Sequence, residues 1–201
     1  MAIDSVTPGE ALARLKAGNE RFVTNQRIIH DLMEQVKETA GGQKPFATIV
    51  GCIDSRVVPE LIFDQGIGSL FSVRVAGNVI SEDVLASLEF ACTVADTRLI
   101  VIKGHTRCGA VQSACESDGS EPGYLPQLIA KIAPSIEAAK QKLGDEITPE
   151  LKDRVSKLNV LHSVAQIREK SPVLKKLEEE GTIKIIGARY DVSTGVVTFY
   201  E

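Results

Sequence analysis

The apolar positions of this chain alternate between two periods, one typical of strands and one typical of helices. Short apolar runs, partly β-branched, predict buried strands at residues 46–51, 70–75, 98–103 and 183–188. A turn at residues 191–195 then predicts a returning antiparallel strand at residues 196–200. The strand pattern therefore indicates a sheet assembled from segments far apart in the sequence.

The predicted helices fill the intervals between the strands. Thr7 and Glu10 form a capping box with Pro8 at the first helical position, and Ser81 caps a later helix. Further helical segments are predicted at residues 31–38, 59–64, 109–115, 126–143, 148–170 and 171–181, with a polar surface loop at 117–124. Strands that alternate with helices favour a parallel sheet. The predicted fold class is α/β, with a mostly parallel four-stranded sheet plus an antiparallel fifth strand, flanked by helices.

Composition narrows the classes of protein to consider. The chain has 201 residues, of which 43% are hydrophobic and 25% charged, which is typical of a globular domain. No linker, repeat or low-complexity segment interrupts it, so we expect a single domain over residues 1–201, with residues 1–40 as an N-terminal helical arm. The net charge of −4 and the lack of a basic stripe argue against a nucleic-acid partner.

Membrane association and secretion are not expected from this sequence. The longest apolar runs are about half a membrane span. The N-terminus shows neither a basic n-region nor an apolar h-region, so no secretory signal is expected. Four unevenly spaced cysteines favour an intracellular protein whose cysteines bind metal or fill the core. We therefore expect a cytoplasmic protein.

Metal-ligand residues occur at the ends of two predicted strands. Cys52 and His105 each follow directly on a strand, and ligands of open α/β sheets bind at that edge. Cys108 lies near the start of a helix, where the helix dipole favours a thiolate. Two cysteines and one histidine leave one position of tetrahedral zinc free for chemistry. Asp54 and Arg56 lie beside this set in the sequence and indicate a catalytic role.

Each element alone has a simpler explanation. A cysteine after a strand is commonly a small core residue, and Cys92 and Cys115 are expected to be core or partly exposed thiols. His30 and His162 lie in helical, mixed-polarity segments and are expected not to be ligands. Gly66 and Gly68 do not form a dinucleotide loop, because Phe71 replaces the third glycine. The hypothesis of a metal site depends on all its elements occurring together.

Five ordered motifs make the chain resemble the β-class carbonic anhydrases. They cover residues 51–57 (Gly-Cys-Ile-Asp-Ser-Arg-Val), 60–64, 71–78, 87–91 and 104–110 (Gly-His-Thr-Arg-Cys-Gly-Ala). The resemblance implies zinc held by Cys52, His105 and Cys108, and reversible hydration of carbon dioxide to bicarbonate and a proton. It also implies that Asp54 either pairs with Arg56, leaving water on zinc, or becomes a fourth zinc ligand in a closed state.

The resemblance further implies a substrate pocket and an oligomer. Gln43 matches a glutamine that binds substrate or bicarbonate, and Phe71, Ala76 and Phe90 match the lining of the carbon dioxide pocket. The backbone N–H of Gly109 is a further candidate donor to the oxygen that gains charge. The family pocket lies at a dimer interface and the N-terminal helices wrap the partner, so a homodimer or homotetramer is expected.

The chain departs from the family pattern at several positions. Ile53 and Thr106 replace commoner serines, and Lys103 precedes Gly104 where an apolar residue is more usual. Ile49 replaces the tryptophan of an inhibitory bicarbonate site found in some members, so that control is not expected here.

Two other functions and the route of the proton stay open. One alternative is a carbonyl sulfide hydrolase at the same zinc site. The other is a non-catalytic zinc-stabilised domain, which would assign no role to Asp54, Arg56 and Gln43. The sequence offers His30 as a candidate proton shuttle, although buffer could serve instead.

Overall fold

A five-stranded sheet forms the centre of the computed structural model, which describes residues 6–200. Its strands are β1 (Ala47–Gly51), β2 (Leu70–Arg74), β3 (Leu99–His105), β4 (Lys184–Tyr190) and β5 (Val197–Tyr200), in the spatial order β2-β1-β3-β4-β5. The first four strands pair in parallel, and β5 pairs antiparallel with β4. The predicted fold class is confirmed.

Eight helices accompany the sheet in the described part of the chain. They are α1 (Pro8–Val23), α2 (Leu32–Thr39), α3 (Pro59–Ile62), α4 (Glu82–Thr93), α5 (Gly109–Glu116), α6 (Leu125–Leu143), α7 (Pro149–Lys170) and α8 (Pro172–Glu179). The predicted capping box at Thr7 is present, and Ser81 accepts a hydrogen bond from the Val84 amide at the start of α4. Within residues 6–200, no helix combines the length and apolar character that crossing a membrane requires.

Strands β3 and β4 each extend two residues beyond the end that their apolar runs predicted. His105, expected just beyond β3, is the last residue of that strand, where it lies opposite Tyr190 of β4. The parallel ladder continues past the hydrophobic residues because backbone hydrogen bonds do not depend on side-chain polarity. The Thr106 amide still donates to the Tyr190 carbonyl at 3.0 Å. The ladder therefore fixes the backbone on both sides of His105.

The sheet is covered on both faces. Every residue of β1 and β3 is buried, which is typical of central strands in a parallel sheet. Cys115 belongs to the apolar cluster on one face and Cys92 to that on the other. Burial raises the pKa of Cys92 to about 12. Both thiols lie in the core, as predicted.

Asp64 connects the N-terminal helical segment to the sheet domain. Its buried carboxylate accepts hydrogen bonds from Arg21 Nε at 2.6 Å and from the Ile28 amide at 3.2 Å. Burial acts to raise the pKa of Asp64, but the bonds from Arg21 and Ile28 outweigh it and lower the pKa below its ordinary value. The ionised carboxylate therefore stabilises the fold.

Asp64→Asn is expected to lower the free energy of unfolding by about 2 kcal/mol at neutral pH, because the charge-assisted bonds are lost. A carboxyl with a lowered folded-state pKa contributes stability above its unfolded pKa of about 4 and loses it as pH falls further. The difference between variant and wild type should therefore shrink in acid. Urea unfolding at fixed protomer concentration, at neutral pH and in acid, measures both effects.

Glu34→Gln is the matched control, because Glu34 pairs with Lys37 on the surface. Its effect should stay below about 0.5 kcal/mol. Equal losses in the two variants would contradict a special role for Asp64.

Candidate metal centre

Three buried side chains meet at the carboxyl edge of the sheet. Cys52 follows β1 directly, His105 ends β3, and Cys108 is the residue immediately before α5. Their potential ligand atoms all lie within 4.8 Å of one another. Because β1 and β3 are parallel neighbours, their carboxyl ends necessarily lie side by side. The sheet thus brings together residues separated by some fifty positions in the sequence.

The orientation of His105 leaves its Nε2 atom without a hydrogen-bond partner among the described residues. Nδ1 lies 3.0 Å from the Thr106 carbonyl oxygen. A carbonyl only accepts, so Nδ1 carries the hydrogen and Nε2 has a free lone pair. Nε2 is buried, with no hydrogen-bond partner among residues 6–200. An unpartnered imidazole nitrogen beside two thiols fits Zn²⁺, and a backbone carbonyl on the other nitrogen is the usual support for a zinc histidine.

The two thiols share a hydrogen bond, with the sulfurs 3.9 Å apart. This bond from Cys108 is the largest cause of the lowered pKa of Cys52, and the Gly77 amide, 3.4 Å from the Cys52 sulfur, adds to it. The same bond, with burial, raises the pKa of Cys108, although the amides of Ala110 and Val111 at the start of α5 act in the opposite direction. The centre therefore favours a first thiolate at Cys52, and a metal ion would deprotonate both.

Asp54 and Arg56 form a bidentate pair beside these donors. Arg56 donates from Nη2 to Asp54 Oδ2 at 2.6 Å and from Nε to Oδ1 at 2.9 Å. The Arg56 side-chain bonds are the main reason that the pKa of Asp54 lies well below its usual range. Asp54 Oδ2 is also 4.0 Å from His105 Nε2. An ionised carboxylate is therefore held within reach of whatever the three donors bind.

Further supporting residues carried no obvious sequence signal. Arg74, the last residue of β2, donates to the carbonyls of Cys52 at 3.0 Å and Asp54 at 2.6 Å. It lay in a family motif, but its role could not be assigned without knowing that β2 adjoins β1. Its two bonds fix the backbone of the segment that presents Cys52 and Asp54.

Three polar residues on one face of α7 bind backbone carbonyls close to the candidate metal donors. Ser156 donates to the His105 carbonyl at 3.0 Å, Asn159 to the Gly77 carbonyl at 2.7 Å, and Ser163 to the Asn78 carbonyl at 3.2 Å. Their spacing of three and four residues places them on one helical face. Small polar residues recurring at helical spacing were the signal available in the sequence.

The residues expected to bind substrate do not form one pocket within a single chain. Ala76 adjoins Gly77, whose amide contacts Cys52, and Gly109 adjoins Cys108. Phe71 on β2 and Phe90 on α4 instead line a groove of about 390 Å³ that includes none of the three metal donors. Gln43 is exposed and precedes β1, at the edge of the sheet opposite Cys52.

The fold and the site together define a class of protein: α/β metalloenzymes with a Cys₂His donor set and an Asp–Arg pair at the carboxyl edge of a parallel sheet. Residues 47–197 match the sequence profile of the carbonic anhydrase family. The chain belongs to the β-carbonic anhydrase family and is a carbonic anhydrase. The family resemblance of the motifs is thereby confirmed.

Individual relatives agree with this assignment. Carbonic anhydrase 2 of Mycobacterium tuberculosis is 40% identical over 197 residues, which cover 95% of this chain and 92% of the relative. The crystal structure of the β-carbonic anhydrase CafA of Aspergillus fumigatus superposes with a TM-score of 0.74 at 28% identity, covering 96% of this chain and 90% of that chain. A tetrameric β-carbonic anhydrase of Sordaria macrospora shares the fold, with a TM-score of 0.73 at 24% identity over 83% of this chain and 89% of that chain.

Proposed function

We propose that this protein catalyses reversible hydration of carbon dioxide to bicarbonate and a proton, with Zn²⁺ held by Cys52, His105 and Cys108. The observation that carries the proposal is the bare, buried Nε2 of His105 facing two thiols beside an ionised Asp54. When bound, zinc lowers the pKa of a coordinated water to about 7, which makes hydroxide available near neutral pH.

The side chains of this protein orient the reacting groups. Asp54 accepts a hydrogen bond from the nucleophile and fixes its direction of attack. Arg56 keeps that carboxylate ionised and turned toward the donors through its two side-chain bonds. The Gly109 amide, at the exposed first position of α5, donates to the substrate oxygen that gains negative charge.

Two assays on one preparation test the proposal. We expect about one zinc per protomer and carbon dioxide hydration far above the buffer rate. Hydrolysis of carbonyl sulfide faster than hydration would favour the hydrolase alternative. A zinc-loaded protein without hydration activity between about pH 7 and pH 9, where zinc-bound hydroxide forms, would favour the non-catalytic domain.

We also propose that the working enzyme is a homo-oligomer in which a second copy completes the pocket. Support comes from apolar side chains left exposed on the arm and α4: Ile29 is 98% exposed, Met33 67% and Phe90 55%. An exposed apolar surface of this kind is typical of interfaces between copies. A dimer would allow Gln43, Phe71 and Phe90 of one chain to approach the metal donors of the other.

A heterodimer of two impaired chains tests this arrangement. One chain carries Cys108→Ser and keeps Gln43, and the other carries Gln43→Leu and keeps the metal donors. If Gln43 serves the partner's site, one of the two sites is intact, and the purified heterodimer should show about half the wild-type activity per dimer. Stopped-flow hydration on heterodimer isolated with two different tags measures this.

The homodimer of each variant is the control. If Gln43 serves the site of its own chain, the heterodimer retains at most half the activity per dimer of the Gln43→Leu homodimer. That result would refute pocket completion by the partner. It would leave the zinc chemistry unaffected.

A further inference from the structure

Lys103 is a fully buried lysine that the proposed chemistry does not use. It lies in β3, two residues before His105, with no exposed surface. Its Nζ donates to the Val57 carbonyl at 3.1 Å and lies 5.4 Å from the centre of the Tyr190 ring. A lysine side chain is almost never placed so deeply without a specific partner. The partner here is a main-chain carbonyl of the segment that carries Asp54.

Lys103 and Arg74 hold this segment from two sides. Both residues lie in register with Gly51, Arg74 on β2 and Lys103 on β3. The Lys103 side chain crosses over Gly51, since a Cβ there would lie 3.9 Å from its Cε. Arg74 binds the carbonyls of Cys52 and Asp54, and Lys103 binds that of Val57. Two basic residues thus fix the segment from Cys52 to Val57 at three carbonyls.

The segment between these anchors is a tight turn that presents the catalytic pair. The Val57 amide donates to the Asp54 carbonyl at 3.2 Å, and the Arg56 amide donates to Asp54 Oδ1 at 2.9 Å. Releasing the Val57 carbonyl would loosen the end of this turn. Asp54 would then be less firmly held against Arg56 and, at 4.0 Å from His105 Nε2, could move toward the metal donors.

General stability does not explain the lysine. Burying an amino group is costly, and the net contribution of a hydrogen bond to stability is modest, so the bond to Val57 offsets little of that cost. The lysine amine donates in either protonation state, so the bond to Val57 does not require a charge.

We propose that Lys103 is a positioning residue that holds the turn from Asp54 to Val57, so that the Asp54 carboxylate stays paired with Arg56 and off the metal. This inference rests on the proposed carbon dioxide hydration for its expected effect on turnover. The ordering of the turn itself does not depend on that function.

Lys103→Met tests the proposal, because methionine keeps the length and apolar stem but removes the donor. The matched control is Lys157→Met, since Lys157 also lies over a tyrosine, Tyr200, at 5.3 Å, but contacts a different strand. Amide hydrogen exchange is measured at Arg56 and Val57, on metal-free and zinc-loaded protein. Urea unfolding, steady-state kinetics and the Asp54–metal distance in zinc-loaded crystals complete the comparison.

In Lys103→Met, exchange at the Arg56 and Val57 amides is expected to rise about tenfold more than at the amides of β1 and β3, because the Val57 carbonyl loses its donor. We expect kcat to fall about tenfold while KM changes less than about twofold, because a misplaced Asp54 affects the reaction rather than substrate binding. Asp54 should approach the metal in the crystals. Lys157→Met should resemble the wild type in every measurement.

Unchanged exchange at Arg56 and Val57, or an equal rise at the amides of β1 and β3, would overturn the proposal. A wild-type protein without zinc or without hydration activity would overturn the proposed function instead. The exchange measured on metal-free protein would still decide whether Lys103 orders the turn.

Discussion

Cys108→Ser is expected to abolish stoichiometric zinc binding and to lower kcat/KM for hydration by well over about 100-fold, since even loss of an outer-shell contact costs a metal site 10–100-fold. Serine keeps the size of cysteine, but its hydroxyl does not ionise near neutral pH and is a poor zinc ligand. The remaining donors, Cys52 and His105, would form an incomplete set. Metal analysis of the purified variant and stopped-flow hydration measure the two effects.

Cys115→Ser is the matched control for this substitution. Cys115 lies on α5, the helix that Cys108 precedes, and is also buried in the apolar core, but it belongs to no metal-ligand group among the described residues. We expect it to retain about one zinc per protomer, with activity within a few-fold of the wild type. Retention of zinc and full activity by Cys108→Ser would refute the donor set and with it the proposed function.

Asp54→Asn is expected to lower kcat/KM about 100-fold while zinc remains bound, which is the usual range for removing a positioned proton-transfer or orienting group. Asparagine has nearly the same shape, but it cannot supply an ionised acceptor. Its NH2 group would face one of the two Arg56 N–H donors, which would lose its acceptor. Because Arg56 holds the pKa of Asp54 well below its usual range, this carboxylate stays ionised across neutral pH. The loss should therefore be constant from about pH 6 to pH 9, well above the ordinary aspartate pKa.

Asp96→Asn is the matched control, because Asp96, like Asp54, pairs with an arginine two residues further along the chain. Asp96 pairs with Arg98, also two residues ahead, with Arg98 Nη2 at 2.6 Å from Asp96 Oδ1. That pair lies just before β3, at the amino end of the strand whose carboxyl end carries His105. We expect its removal to leave hydration activity within about twofold. Equal losses in both variants would show that Asp54 acts only through general stability, and loss of zinc from Asp54→Asn would show that it supports the metal.

Local sequence signals were sufficient for the elements that carry the site. Thr7, Ser81 and the apolar runs specified their helices and strands because capping bonds and side-chain periodicity act over a few residues. Cys52, His105 and Cys108 could be grouped because parallel strands expose their carboxyl ends at one edge. The strand boundary at His105 was less predictable, because the ladder continues past the last apolar side chain.

The contacts that orient the site depended on neighbours that sequence spacing does not reveal. The Thr106 carbonyl sets the His105 tautomer, Arg74 reaches the Cys52 segment only because β2 adjoins β1, and α7 places Ser156 behind His105. The order β2-β1-β3-β4-β5 decided these neighbours.

The sequence by itself determined the α/β architecture and the family, and it predicted the three candidate donors, because each is encoded in local patterns. Only the tertiary structure decided that Lys103 contacts Val57 and that Gln43 lies at the edge opposite Cys52. The physical reason is that such contacts depend on how strands are ordered and packed, and residues that meet across a sheet leave no fixed spacing in the chain.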